Sequence, residues 1–215
     1  MAPFFLSIVI PAHNEESRLP RTLRQVFAFL EKQSYTSEVV VVENSSTDHT
    51  LDIALELATH HPNLRVLHEA QRGKGNAVRR GVLEARGEYR FICDADLSMP
   101  IDEVTKFLPP ALQNFDLAIG SREAPGSVRY NEPSYRHLGG RAINLAIRTL
   151  ILSGLNDTQC GFKCFRAEIA EALFRQLTLT GWSFDIELLY LARRSGYRLI
   201  EVPIQWYFDS ESKVS

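Results

Sequence analysis

The sequence has 215 residues, of which 45% are hydrophobic, 23% charged and 10% aromatic. These proportions are typical of a globular protein and exclude disordered, collagen-like and coiled-coil chains. Its 24 Lys and Arg residues against 26 Asp and Glu give a net charge of -2, which offers no general polycation for nucleic acid. The length predicts one domain with a core large enough to fold without disulfides.

Cys93, Cys160 and Cys164 cannot all pair, and they lack zinc-site spacing to histidines, so we expect reduced thiols and a cytoplasmic protein. The first six residues lack the basic segment and cleavage site of a signal peptide. No run approaches the ~20 apolar residues that span a bilayer. We therefore expect no membrane anchor in these residues, and peripheral association with the cytoplasmic face of a membrane is the alternative.

Four segments in the first hundred residues are predicted to be strands, and the apolar runs of the first two are typical of strands buried on both faces of a parallel sheet. They are residues 6–10, 39–42, 64–67 and 89–93. Helical spacing separates them at 15–33, 50–59 and 75–85. These successive strand–helix–strand units predict an α/β fold with right-handed crossovers.

The pattern is less regular after Pro100, and no shift in composition marks a domain boundary. Residues 122–136 are predicted to form a polar loop. Helices are predicted at 102–112, 142–152, 167–177 and 185–194, and strands at 117–120, at the end of 156–165 and at 199–202.

Polar segments follow three predicted strands at the edge where open parallel sheets bind ligands. They are Pro11-Ala12-His13-Asn14-Glu15-Glu16, Glu43-Asn44-Ser45-Ser46-Thr47-Asp48 and Asp94-Ala95-Asp96. Because all three lie at one edge of the sheet, we expect them to line one site. Glu43 ends a buried strand, which favours contact with a ligand hydroxyl or base edge over solvation. Asp48 either joins that site or caps the next helix.

Asp94 and Asp96 are the candidate metal ligands. Two carboxylates at i and i+2 after a buried strand can reach one hard cation, Mg²⁺ or Mn²⁺, which then neutralises a diphosphate leaving group. A solvated turn is the alternative interpretation. Arg72-Gly73-Lys74-Gly75 opens a helix, and its glycines, its helix N-terminus and the Lys74 charge suit an anion. It lacks P-loop spacing, and an ordinary turn is the alternative.

A basic cluster surrounds the predicted polar loop and the apolar stretch 142–152. Its members are Arg122, Arg129, Arg136, Arg141 and Lys163. A solvated face is the common explanation for such a cluster. A surface that meets a lipid phosphate is the alternative, with residues 142–152 either at that surface or in the core.

These motifs resemble the family 2 glycosyltransferases with a GT-A fold. The resemblance rests on residues 7–16, 43–48, 73–75, 94–96 and 120–122, and it covers nearly the whole chain in order. Residues 157–163 and 201–206 are similar to the dolichyl- and polyprenyl-phosphate glycosyltransferase branch. The resemblance implies one α/β GT-A domain, residues 1–215. Residues 1–100 would form its nucleotide-sugar-binding half and 101–215 its acceptor-binding half.

The resemblance also implies roles for individual residues. Asp94 and Asp96 would hold the metal and the diphosphate, while Arg122, Arg136 and Lys163 would face phosphates. The implied donor-binding residues are Pro11, Ala12, Asn14, Glu15, Glu43, Asp48, Lys74, Asp94 and Ala95. Glu43-Asn44 stands where many relatives have two aspartates, and Ser98 where mannosyl relatives often have glutamine. These departures favour UDP-glucose as donor, with GDP-mannose as the alternative.

The implied reaction is inverting transfer of a hexose to a polyprenyl or dolichyl phosphate. A phosphate monoester is largely dianionic at neutral pH, so positioning and metal stabilisation suffice without a general base. A hydroxyl acceptor, as in surface polysaccharide synthesis, would need a base such as Asp157, Asp185 or Glu187. A sugar-phosphate nucleotidyltransferase is disfavoured because residues 11–15 are acidic and free of glycine. A non-catalytic sugar-nucleotide-binding module remains the last alternative.

Overall fold

We describe residues 3–131, 152 and 154–208 of a computed structural model. The strands are β1 (Phe4–Ala12), β2 (Ser37–Glu43), β3 (Leu64–His68), β4 (Gly87–Ile92), β5 (Leu117–Ser121), β6 (Val128–Tyr130), β7 (Lys163–Arg166), β8 (Leu199–Pro203) and β9 (Gln205–Tyr207). The helices are α1 (Leu19–Leu30), α2 (Thr50–His60), α3 (Lys74–Glu84), α4 (Ala167–Phe174) and α5 (Phe184–Arg194), with a 3₁₀ segment at Ile101–Phe107.

Seven strands form a central sheet in the order β3-β2-β1-β4-β7-β5-β8. Every neighbouring pair is parallel except those of β7, which runs antiparallel to both β4 and β5. The short strands β6 and β9 form a separate parallel pair. The predicted α/β class with a mostly parallel sheet is therefore confirmed.

Side chains on opposite faces of β1 and β2 pack into two different apolar clusters. Ile8 and Val41 belong to the cluster that contains residues of α1. Val9 and Val42 belong to the cluster that contains residues of α3. Helices cover both faces of the sheet, so residues 8–10 and 39–42 are apolar on both sides instead of alternating with polar residues. This continuous apolar pattern allowed the two strands to be predicted.

The strand β1 continues through Pro11, where the prediction ended it. Its pairing with β4 stops at Val9 and Ile92, whereas its pairing with β2 extends to Ala12 and Glu43. Backbone groups alternate between the two sides of a strand, and the Val9 and Ala12 carbonyls already face β4 and β2 respectively. The backbone groups of Pro11 face the same side as those of Val9, where β4 no longer pairs with β1. The missing N–H of Pro11 therefore costs the sheet no hydrogen bond.

Three parts of the predicted second half differ from the structure or lie outside it. The helix expected at 102–112 is only a short 3₁₀ segment, and Pro109-Pro110 beyond it cannot donate helical hydrogen bonds. The expected loop 122–136 contains β6, and β9 was not predicted, because three-residue strands carry too little periodicity to detect. The predicted helix 142–152 lies outside the described residues apart from Leu152.

The three cysteines are buried and form no disulfide. Burial raises the pKa of Cys160 to about 12, which keeps its thiol protonated at neutral pH. Across the described ranges, none of the helices combines the length and the apolar character required to cross a bilayer.

We predict that Gly81→Ala destabilises the protein, because α3 approaches β1 and β2 most closely at Gly81. A Cβ at this position would lie 2.4 Å from Val9 Cγ1 and 2.7 Å from Val42 Cγ2. Overpacking of this kind lowers the free energy of unfolding by about 1–3 kcal/mol, measurable by urea denaturation.

The control for this prediction is Gly181→Ala, where no described atom beyond the chain neighbours lies within 4 Å of the added methyl. Its free energy of unfolding should change by less than ~0.5 kcal/mol. Equal stability of the Gly81→Ala variant and the wild type would contradict the close packing.

Candidate active site

A cavity of about 430 Å³ opens at the carboxyl edge of β1, β2 and β4. This is the sheet edge at which we expected the three polar segments to meet. The predicted residues that line this cavity are Pro11, Ala12, Asn14, Glu15, Lys74, Asp94, Ala95 and Asp96. The structure therefore brings most of the predicted donor-binding residues and both predicted metal ligands into one place.

Hydrogen bonds between the β1 and β2 loops fix the wall of the cavity. Asn14 has a positive φ of 54°, and its backbone N–H donates to Ser46 Oγ at 3.0 Å. In return its side-chain oxygen accepts the Thr47 N–H at 2.8 Å. His13, to which we assigned no role, has Nδ1 2.7 Å from the Asn44 carbonyl oxygen.

The side chain of Asn44 joins the β2 loop to the segment before α3. Its amide nitrogen donates to the carbonyls of Glu69 at 2.9 Å and Gln71 at 2.8 Å. Its amide oxygen accepts the Gly73 N–H at 2.8 Å. An aspartate has no donor for the two carbonyls, so this geometry requires the amide found here.

Glu43 and Asp48 do not line the cavity. The buried Glu43 carboxylate accepts the Ser46 N–H and lies 2.5 Å from His68 Nδ1. Although burial acts to raise it, these contacts leave the pKa of Glu43 below its ordinary value. Asp48 accepts the N–H of Thr50, the first residue of α2, at 3.0 Å, as its alternative interpretation predicted. Both carboxylates shape the loop that forms the wall.

Asp94 is held between a lysine and a glycine. The Lys74 ammonium lies 2.7 Å from Asp94 Oδ1. Burial acts to raise the pKa of Asp94, but the charge and hydrogen bond of Lys74, together with the charges of Lys163 and Arg122, lower it below its ordinary value. A Cβ on Gly161 would lie 1.9 Å from Asp94 Oδ2, so only glycine permits this approach. Sequence reasoning assigned no role to Gly161.

Asp96 is the carboxylate whose charge is least compensated. Its Oδ1 accepts the Ser98 N–H at 2.9 Å, yet burial and the neighbouring Asp94 charge raise its pKa. Two nearby carboxylates with excess negative charge provide the oxygen ligands that Mg²⁺ and Mn²⁺ prefer. In the described part of the chain, no cluster of three or more His, Cys, Asp or Glu side chains is arranged for a metal ion.

The N-terminus of α3 is covered by protein backbone. The Thr180 carbonyl oxygen would lie 2.3 Å from a Cβ on Gly73, and the Leu179 carbonyl oxygen 2.7 Å from one on Gly75. Thr180 O also accepts the Asn76 N–H at 3.3 Å. The lack of side chains at these glycines therefore allows a neighbouring loop to pack against α3, and Gly73 also lines the cavity. The Lys74 side chain still reaches the cavity.

Two of the predicted phosphate-facing residues, Lys163 and Arg122, are not among the residues that line the cavity. Lys163 is only 1% exposed, donates to the Cys160 carbonyl and lies 2.7 Å from Asp185 Oδ1. Arg122 forms a two-pronged ion pair with Asp157, with nitrogen–oxygen distances of 2.6 and 3.0 Å. Arg136 falls outside the described residues, so its predicted role has no structural account.

The three carboxylates considered as general bases are all engaged. Asp157 binds Arg122, and Asp185 binds Lys163. Glu187 accepts hydrogen bonds from the Thr178 N–H, the Thr178 hydroxyl and the Leu179 N–H at 2.6–3.1 Å. Burial acts to raise the pKa of Glu187, but these hydrogen bonds lower it. None of the three carboxylates is therefore left available to accept a proton from a sugar hydroxyl.

Residues 7–174 match the sequence model of glycosyl transferase family 2. This chain belongs to that family. The dolichyl-phosphate beta-glucosyltransferase of Drosophila melanogaster is 36% identical, and the match covers 98% of this chain and 69% of the relative. The human enzyme of the same name is 34% identical over 97% of this chain and 69% of its own length.

Solved structures confirm the GT-A fold of this family 2 glycosyltransferase. Glucosyl-3-phosphoglycerate synthase from Mycobacterium tuberculosis with bound UDP has a TM-score of 0.68 and 20% identity, covering 99% of this chain and 74% of that one. The same enzyme with Mn²⁺, UDP-glucose and phosphoglyceric acid has a TM-score of 0.66 and 20% identity, covering 95% and 71%.

Sequence reasoning missed two side chains in the cavity of this glycosyltransferase. Arg18 lines it and pairs with Glu15 at 2.7 and 2.9 Å across the turn that precedes α1. Trp182 also lines it, although its side chain is 58% exposed. No local pattern indicates Trp182, because it reaches the cavity only through the packing of a distant loop.

We predict that Asp157→Asn makes this glycosyltransferase less stable at neutral pH but not in acid. Burial acts to raise the pKa of Asp157, but Arg122 lowers it to about 2, below the ~3.9 of an unfolded chain. The carboxylate therefore stabilises the fold above pH ~4, and this contribution is lost as the pH falls through ~2. Urea denaturation at pH 7 should show a loss of about 2 kcal/mol.

The difference in unfolding free energy from the wild type should narrow as the pH falls below ~4. Asp52→Asn is the control, because Asp52 pairs with His49 at 3.3 Å and both side chains are about four-fifths exposed. A pH-independent deficit for Asp157→Asn would show that the charge of Asp157 is not what stabilises this region.

Proposed function

We propose that this glycosyltransferase transfers glucose, with inversion, from UDP-glucose to dolichyl phosphate or a related polyprenyl phosphate. The observation that carries the proposal is the convergence of Asp94, Asp96 and Lys74 in one cavity at the carboxyl edge of the sheet. Relatives named dolichyl-phosphate beta-glucosyltransferase, 32–36% identical over nearly the whole chain, support the choice of sugar and acceptor.

On the donor side, the residues of the β1 and β2 loops bind and orient the nucleotide sugar. Asp94 and Asp96 would hold Mg²⁺ or Mn²⁺, which neutralises charge on the diphosphate leaving group when bound. The fixed position of Asp94 between Lys74 and Gly161 keeps its carboxylate oriented before substrate arrives. This preorganisation avoids the cost of rearranging charges during the reaction.

Lys74 contributes a positive charge at the same end of the cavity. Its pKa is raised because the charges of Asp94 and Asp185 outweigh the opposing effect of burial, so it stays protonated at neutral pH. An ammonium at the cavity wall stabilises the diphosphate as it departs. Lys163 is too buried to contact substrate, but its charge contributes to the lowered pKa of Asp94.

On the acceptor side, a lipid phosphate already carries the nucleophilic oxygen. It requires no proton transfer, which agrees with the engagement of Asp157, Asp185 and Glu187 in contacts of their own. We assign Arg122 and Arg136 to this side as phosphate-facing residues. Residues 1–100 then serve the donor and 101–215 the acceptor, with the reaction at the cytoplasmic face of a membrane.

We predict that the protein with Mn²⁺, radiolabelled UDP-glucose and a short polyprenyl phosphate produces a labelled lipid that extracts into organic solvent. GDP-mannose in place of UDP-glucose should label the lipid at least about tenfold less, a discrimination of ~1.4 kcal/mol in transition-state binding. A free sugar acceptor should remain unlabelled, because the carboxylates considered as bases, Asp157, Asp185 and Glu187, are engaged in other contacts.

Labelling of a sugar acceptor but not of the lipid phosphate would contradict the proposed acceptor. Preferential labelling from GDP-mannose would contradict the proposed donor. Omission of the polyprenyl phosphate is the control for slow hydrolysis of the donor.

We predict that Asp96→Ala abolishes the metal-dependent part of UDP binding while the protein stays folded. Asp96 bonds to Ser98 and lines the cavity, where a cation can reach its carboxylate. Calorimetric titration of UDP with and without Mn²⁺ measures the effect, which should be at least about tenfold in Kd. The control is Asp102→Ala, an exposed aspartate in the 3₁₀ segment. Unchanged affinity of Asp96→Ala in Mn²⁺ would show that the metal assignment is wrong.

A further inference from the structure

The carboxylate of Glu187 is bonded to the chain that precedes its own helix. Glu187 lies in the first turn of α5. Its oxygens accept the Thr178 N–H at 3.0 and 3.1 Å, the Thr178 hydroxyl at 2.6 Å and the Leu179 N–H at 2.7 Å. Two successive backbone N–H groups and one hydroxyl are therefore fixed by a single side chain.

Residues 178–182, which we call the clamp segment, are the same residues that cover the N-terminus of α3. The Leu179 and Thr180 carbonyls lie so close to Gly75 and Gly73 that no Cβ fits between them. Thr180 also accepts the N–H of Asn76. Glu187 therefore binds the N–H groups of Thr178 and Leu179, while the carbonyls of Leu179 and Thr180 contact α3.

The clamp segment ends at Trp182, which lines the cavity. The Lys74 ammonium lies 4.8 Å from the centre of the Trp182 ring, within the range of a cation–π interaction. It also lies 2.7 Å from Asp94 Oδ1. The position of Lys74 therefore depends on both the aspartate and the clamp segment.

We propose that Glu187 is a positioning residue for donor binding. It holds the clamp segment against α3, so that Lys74 and Trp182 face the cavity in the arrangement that receives the nucleotide diphosphate. The inference rests on the proposed function in one respect, because it takes the cavity to be the donor site. Glu187 itself does not line the cavity and acts only through the clamp segment.

A purely structural role for Glu187 makes a different prediction. An acidic residue in a first turn stabilises any helix through the macrodipole, and Glu168 likewise lies in the first turn of α4. Glu168 is exposed, whereas Glu187 is bonded to the clamp segment. Glu168→Gln is therefore the matched control for loss of the helix-dipole effect alone.

The experiment compares Glu187→Gln with Glu168→Gln in a Trp206→Phe background. The chain has two tryptophans, so Trp182 is then the sole tryptophan. Three quantities are measured: acrylamide quenching of Trp182 without ligand, the Kd of UDP in Mn²⁺, and the thermal midpoint. In Glu187→Gln, one of the two acceptor oxygens becomes an NH₂ group that faces N–H donors.

If Glu187→Gln leaves the clamp segment in place about a tenth of the time, the Kd of UDP rises about tenfold. Quenching of Trp182 should increase in the same variant, and neither quantity should change in Glu168→Gln. Thr178→Val removes one of the three donors and should shift both quantities in the same direction by less. It also tests the proposal should Glu187→Gln fail to fold.

A lowered thermal midpoint for Glu187→Gln with unchanged quenching and Kd would overturn the proposal and leave Glu187 a structural role. Equal effects of the two glutamine variants would overturn it as well. Failure of the parent protein to bind UDP would refute the proposed donor site instead. Quenching of Trp182 without ligand would still report whether Glu187 holds the clamp segment.

Discussion

The ion pair between Lys74 and Asp94 is the contact on which the rest of the site depends. It joins the first residue of α3 to the loop after β4, two elements that meet only because both crossovers return to the same sheet edge. Each partner has a second contact as well: the Asp94 carboxylate packs against Gly161, and the Lys74 ammonium lies over the ring of Trp182. The charges of Lys74 and Asp94 are therefore already in position before a ligand binds.

The first turn of α5 stabilises two sides of this arrangement at once. Asp185 pairs with the buried Lys163, while Glu187, two residues later, binds the backbone that covers α3. Neighbours two apart on a helix point in different directions, so one turn can serve both sides. Two of the three acidic residues that sequence reasoning considered as bases therefore hold the site together.

Much of the fold followed from sequence because residues 8–10 of β1 and 39–42 of β2 are apolar on both faces, and a covered parallel sheet requires that. The edge position of Asp94 and Asp96 followed from the same rule. Trp182 and Gly161 could not be found this way, since their proximity to the cavity results from contacts with residues more than sixty positions away. The role of the Asn44 amide follows only from the structure, because its three hydrogen-bond partners are distant in sequence.

The antiparallel strand β7 has a consequence for the order in which this chain folds. It pairs with β4 on one side and β5 on the other, yet it follows β4 by about seventy residues. During synthesis the outer edge of β4 stays unpaired until residues 163–166 leave the ribosome. An unpaired edge of this kind can recruit another chain. The nascent protein is therefore exposed to aggregation through this edge while the residues between β4 and β7 are being synthesised.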